Sequence, residues 1–179
     1  GTNTLNPRRM NVLIDGISVY RPAFSEVLWA QLPVAIEDVQ RIEVTRGPNS
    51  ASYGPNSMLA NVNIITRNPN DLPLGFAAGT LGTNGVRELT ARAALRFDSS
   101  AVGLTASTSR DGGFDSLTQD AAGHDSLRID RLALRSQSRI GVRSTLSVQA
   151  ALARGTAEIP FIDNFQLTYP DRRFEDVYA

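Results

Sequence analysis

The sequence predicts a β-rich chain in two parts: a mixed α/β piece over residues 1–70 and an antiparallel up-and-down β-meander over residues 71–179. Three observations carry that expectation. An Asp15-Gly16 pair sits between two short apolar runs, in a half dense with turn residues. From about residue 74 onward, polar and apolar side chains alternate in runs of about ten. The connections between those runs are alternately short and long.

In the first part, Val12-Leu13-Ile14 and Ile17-Ser18-Val19-Tyr20 flank the Asp-Gly pair. This predicts a tight hairpin, because a type I′ turn needs positive φ at both central residues and Asp-Gly tolerates it. Trp29 is expected in the core. Pro33 opens a stretch, Val34 to Asp38, that predicts one helical turn: Pro suits a first turn and early carboxylates suit the helix dipole. Arg41-Ile42-Glu43-Val44-Thr45-Arg46 alternates as a half-buried strand should, and Gly47-Pro48-Asn49-Ser50 stops it. Asn61 to Thr66 predicts a further strand, and Asn68-Pro69-Asn70-Asp71 a closing turn.

In the second part, Leu89, Ala91, Ala93, Leu95 and Phe97 alternate with polar neighbours. So do Val102 and Leu104, then Leu132 and Leu134, then Leu146, Val148, Ala150 and Leu152. Leu127 and Ile129 fall out of step with Leu132 and Leu134, so that strand is expected to begin only near Asp130. Asp98-Ser99-Ser100 and Gly141-Val142-Arg143 are short links, whereas 111–126 and 155–173 read as long loops. Short turns at one end and long loops at the other suit an outer-membrane barrel. A soluble antiparallel sandwich alternates in the same way, and periodicity alone does not separate the two. In a barrel, Arg92, Arg96, Arg131, Arg135 and Arg139 belong on the lumenal side, because a cation on the lipid face costs about 2–4 kcal/mol at midplane.

Composition excludes several classes of function. Eighteen basic residues, all arginine, balance 18 acidic ones, so no electrostatic footprint for nucleic acid exists. With no Cys, thiolate nucleophiles, thiolate metal sites and disulfides are excluded. His124 is the one histidine; with Asp120 and Asp125 it makes a weak metal candidate that reads better as a solvated loop. Ser50 and Tyr53 have no base near them in sequence, and Gly47 to Ser52 lacks the Gly-Lys-Ser/Thr ending of a phosphate-binding loop. No apolar run reaches the ~18 residues of a membrane-spanning helix, which leaves spanning strands open. Both ends read as cut, so a longer chain is expected.

Four segments then break the tie between barrel and sandwich. Val12 to Tyr20 resembles the "VLIDGxxVY" hairpin of the plug of TonB-dependent outer-membrane receptors. Ile36 to Pro48 resembles their "IExIxRIEVxRGP", Ser50 to Gly54 their "SALYG", and Asn63 to Arg67 their "NIITR". All four stand in the family's order and spacing. The family's small Gly-bearing patch before "NIIT" is replaced here by Met58-Leu59-Ala60-Asn61. The resemblance implies the C-terminal part of a plug over 1–70, followed by the N-terminal strands of an incomplete transmembrane β-barrel over 71–179.

It further implies a bacterial outer-membrane receptor that takes up a scarce chelate, most commonly a ferric siderophore, with cobalamin or another metal chelate as alternatives. The force would come from TonB with ExbB–ExbD, and the barrel would sit in the lipid bilayer. A signal-transducing or adhesion receptor on the same barrel is the alternative function. No bond in the substrate is made or broken, so neither catalytic residues nor a cofactor are expected. By resemblance, Tyr20, Arg21 and Phe24 belong to a ligand-facing loop at the plug apex. Arg46, helped by Glu43 on the same strand, belongs to a lock between plug and barrel wall.

Overall fold

The computed structural model describes residues 10–21, 27–54, 56–113, 126–158, 161–163, 166–168 and 171–178. They fall into two compact units, Gly1–Leu32 with Ile36–Arg67, and Pro33–Ala35 with Asn68–Ala179.

The first unit is built on β1 (Met10–Ile14), β2 (Ile17–Ser18), β3 (Val39–Arg46) and β4 (Ala60–Thr66), in the spatial order β2-β1-β4-β3. Asp15 and Gly16 take φ of 49° and 86°, and Ile14 pairs with Ile17 across them, as the Asp-Gly signal predicts. β1 runs parallel to β4, and β4 runs antiparallel to β3. The parallel pair is central, and its sequences are correspondingly apolar on both faces: Val12, Leu13, Ile14, Val62 and Ile64 are all buried. Short helical turns lie at Trp29–Gln31, Ile36–Asp38 and Ser50–Tyr53; the second of these supplies the turn expected after Pro33.

Two expectations are corrected in this unit. Arg41 to Arg46 forms a strand, but at the sheet edge, so both its faces are exposed, with Ile42 at 54% and Val44 at 58%. Trp29 is not core: its three-residue turn directs Gln31 inward and leaves the indole 44% exposed, while Val27 fills the interior at 2%.

The second unit contains β5 (Gly75–Leu81), β6 (Arg87–Arg96), β7 (Ser100–Asp111), β8 (Leu127–Ile140), β9 (Ser144–Glu158), β10 (Phe161–Asp163), β11 (Gln166–Thr168) and β12 (Asp171–Tyr178). Six of these form one antiparallel sheet in the order β12-β9-β8-β7-β6-β5, and β10 pairs with β11 alone. This is an up-and-down barrel meander whose outer strands, β5 and β12, do not pair with each other, so the barrel is not closed. Among the described residues no helix is long and apolar enough to cross a membrane.

The strands outrun the ten residues that alternation suggested: β7, β8 and β9 span 12, 14 and 15. β8 therefore begins at Leu127, not near Asp130, and Leu127 and Ile129 keep unbroken register with β7 and β9. The stretch 155–173 is likewise more strand than loop: β9 continues to Glu158, β12 starts at Asp171, and the β10–β11 hairpin lies between them. Residues 114–125, with Asp120, His124 and Asp125, lie outside the described residues.

Candidate functional site

In the first unit the Asp15–Gly16 turn is tied down from three directions. The Asp15 carboxylate accepts from the Thr66 backbone N–H at 2.8 Å and from its hydroxyl at 2.6 Å. The Gly16 N–H donates to Asn63 Oδ1 at 3.1 Å. Behind the turn, Ser18 Oγ donates to Asn11 Oδ1 at 2.8 Å, and the buried Asn11 amide donates to the Tyr53 carbonyl at 3.0 Å. Three of the motifs quoted above thus meet through polar groups, of which Asn11 and Thr66 are buried. Sequence reading did not single out Asn11, Asn63 or Thr66; their polarity inside otherwise apolar strands was the available signal.

Tyr20 and Arg21 follow directly and are half-buried, and the Tyr20 N–H donates to Ser18 Oγ at 3.3 Å. Phe24 lies outside the described residues, so this candidate group is seen only in part. Glu43 and Arg46 are both exposed on β3. They are three positions apart on a strand, hence on opposite faces, with Glu43 opposite Asn63 and Arg46 opposite Ala60. Glu43 is held by Arg41 in an exposed ion pair of 2.7 Å. The two residues expected to act in one network are therefore not brought together.

In the second unit, register sorts the side chains into two faces, since residues directly opposite on paired strands share a face. One row across the sheet reads Ala91, Ala106, Leu132, Leu152 and Val177. The next reads Ala93, Leu104, Leu134 and Ala150, and the one after it Leu95, Val102, Ser136 and Val148. Leu95, Leu104, Leu132, Leu134, Val148 and Val177 of this face are exposed, Leu95 at 61%. The opposite face carries Arg92, Arg96, Arg131 and Arg135, together with the buried Thr90, Thr105, Ala133 and Ala153.

Arg92 lies 4.8 Å over the Phe76 ring and is 6% exposed. The turn at Pro69–Asp71 covers part of the same face: Arg96 Nη2 donates to the Leu72 carbonyl at 2.6 Å and Asn70 Nδ2 to Gln137 Oε1 at 2.8 Å. A sheet with exposed leucines on one face and arginines on the other, partly covered face reverses the rule for a water-soluble protein.

Residues 1–60 match the TonB-dependent receptor plug domain. Over that stretch the chain is similar to the plug of TonB-dependent receptors.

Its fold agrees with two solved structures from that family. The ferric-catecholate import receptor Fiu from E. coli K12, in an open form, superimposes with a TM-score of 0.61 at 16% identity, over 89% of this chain and 22% of that one. The siderophore receptor PiuA from Acinetobacter baumannii gives 0.56 at 16% identity, over 88% of this chain and 21% of that one. At this identity the likeness shows the fold, and the chain spans 22% and 21% of the two receptors' lengths. In this chain the plug-like segment is followed in sequence by the antiparallel strands of the second unit.

Proposed function

We propose that this chain is part of a bacterial outer-membrane transporter that takes up a metal chelate, a ferric siderophore, with force supplied through TonB and ExbB–ExbD. The observation that carries the membrane reading is the two-faced sheet. Leu89, Leu95, Leu104, Leu132, Leu134, Leu146 and Val148 are all exposed on one face, a cost in water that becomes a gain in lipid. The siderophore reading leans on the two similar receptors, one named for ferric-catecholate import and the other a siderophore receptor.

Within this reading, Tyr20, Arg21 and Phe24 form the ligand-facing part of the plug. A guanidinium donates in a fixed fork suited to an anionic chelate, and a phenol adds one donor and an apolar face. Arg46 is the cation of a plug-to-wall lock. It stands exposed on an edge strand. Glu43 takes part from the other face of that strand, through its pair with Arg41.

The test is uptake of radio-iron by cells whose only siderophore receptor is the whole protein. Accumulation that disappears when TonB is deleted supports transport. Chelate binding without accumulation, accompanied by ligand-dependent gene induction, would establish the signalling receptor in its place.

A further inference from the structure

The exposed face of the sheet changes character toward the end where the long connections lie. Above the row Ala91, Ala106, Leu132, Leu152, Val177 comes Leu89, Thr108, Asp130, Arg154, Glu175. Above that comes Arg87, Arg110, Arg128, Thr156, Arg173. Arg87, Arg110, Arg128, Arg154 and Arg173 are all exposed. They stand on the same face as the leucines, about 7 to 13 Å further along the strands at ~3.3 Å per residue.

Arg87, Arg110 and Arg128 are directly opposite one another on three neighbouring strands. Like charges so placed repel and destabilise a sheet unless an anion lies among them. The carboxylates available on these two rows are Asp130 and Glu175, and among the described residues none of the five arginines forms an ion pair. A shallow groove of about 530 Å³ runs over the β12 side of this patch, lined by three arginines, Arg128, Arg154 and Arg173, and by the two carboxylates Asp130 and Glu175. At the opposite end the same face carries Phe97, Ser138, Ile140 and Leu146, with no arginine. The charge is therefore confined to one rim of the apolar band.

We propose that this arginine rim is a docking surface for the phosphate groups of the lipids in the leaflet at the long-loop end. The inference rests on the outer-membrane reading above, which places the leucine rows in hydrocarbon. The arginine rows then fall at headgroup depth, in the leaflet on the long-loop side. Guanidinium forks match phosphate oxygens in pairs, and a row spanning β6 to β12 presents them at strand spacing, wider than one small anion. Charge complementarity and continuity with the lipid-facing band favour a phosphorylated lipid over free phosphate.

The whole receptor is folded into phosphatidylcholine bilayers doped with either diphosphoryl lipid A or its dephosphorylated form, and receptor-associated lipid is measured by native mass spectrometry. Enrichment of the phosphorylated form over the dephosphorylated one is expected. Its loss in Arg87→Gln/Arg110→Gln/Arg128→Gln is expected too, at roughly fivefold per arginine removed. Equal association of the two lipids with the unaltered receptor overturns the proposal, as does enrichment that survives the triple substitution. Saturable binding of inorganic phosphate in detergent, lost in the triple variant and without discrimination between the lipids, marks a small-anion site and also overturns it. A receptor that does not insert into the bilayer at all sinks the outer-membrane reading itself, a failure distinct from the others.

Discussion

The carboxylate of Asp15 closes on Thr66, 51 residues later in the chain, taking both its backbone N–H and its hydroxyl. The Asp-Gly turn is thereby fastened to the end of β4, and the Asp15 N–H adds a bond to the Ile64 carbonyl at 2.9 Å. Turn geometry alone would accept Asn at this position. The two acceptor oxygens aimed at Thr66 are what call for a carboxylate.

Asp15→Asn should separate the two roles, because Asn tolerates φ near 49° but has one oxygen where Asp has two. A loss of about 1–3 kcal/mol is expected, the worth of hydrogen bonds to a charged acceptor. Thr66→Val should cost less, since the backbone N–H bond survives. In a double-mutant cycle read by urea unfolding of the plug, the two losses should couple. Strict additivity would show that Asp15 and Thr66 act independently.

Gly155 marks a second backbone constraint. A Cβ there would strike the carbonyl oxygen of Arg128 and sit 2.9 Å from Phe174 Cζ. Gly155→Ala is therefore expected to force β8 and β12 away from β9, at a cost of about 1–3 kcal/mol. Gly79→Ala is the contrast: its Cβ would meet only the Glu88 carbonyl oxygen, at 3.7 Å. Amide hydrogen exchange in the folded receptor should show faster exchange around Arg128 to Asp130 in the first variant and native protection in the second. Unchanged protection in Gly155→Ala would mean that the close approach relaxes without loss of pairing.

The lipid-facing reading predicts a sharp asymmetry between faces. Leu134→Arg places a cation in the middle of the apolar band and is expected to cost about 2–4 kcal/mol of folding stability in bilayers. Ser147→Arg lies on the opposite face, in the row of Arg96, Ala101 and Gln137 and directly opposite the uncharged Gln137, and is expected to be nearly neutral. Equal cost for the two variants would reject the assignment of faces. A spin label at Leu95 that relaxes with water-soluble reagents and not with oxygen would reject it as well.

Much of this was legible in the sequence. Period-two alternation from Leu89 to Leu152 set both strands and faces, and Asp15-Gly16 set the hairpin. Ile129 was misread because the apolar alternation of Leu132 and Leu134 does not run the whole length of β8. Toward Leu127 the pattern inverts: Arg128 and Asp130 turn to the face of the leucines, and Ile129 turns to the covered face at 0% exposure. Trp29 was misread because size and apolarity argue for burial, while a three-residue turn has room to bury one side chain and here takes Gln31. The Asp15–Thr66 clasp and the arginine rim were not legible. Both depend on register between segments distant in sequence, which no local pattern encodes.

The plug-apex reading carries the greatest risk and tests recognition directly. Tyr20 and Arg21 leave β2 immediately after the clasped turn, so the clasp fixes where the segment starts. The Arg21 guanidinium is a planar, pre-organised fork, which loses less rotamer freedom per hydrogen bond formed. In the whole receptor, Arg21→Ala with Phe24→Ala is expected to weaken binding of the ferric siderophore by roughly 1–3 kcal/mol, with insertion intact. Equilibrium binding to purified receptor measures the first, and heat-modifiable migration of the folded barrel the second. Unchanged affinity would move recognition away from this segment of the plug. Lost insertion would make the pair structural, and Tyr20→Phe, which removes one hydroxyl and keeps the ring, would then be the discriminating variant: a fall in affinity of about tenfold supports contact with the ligand, and no change refutes it.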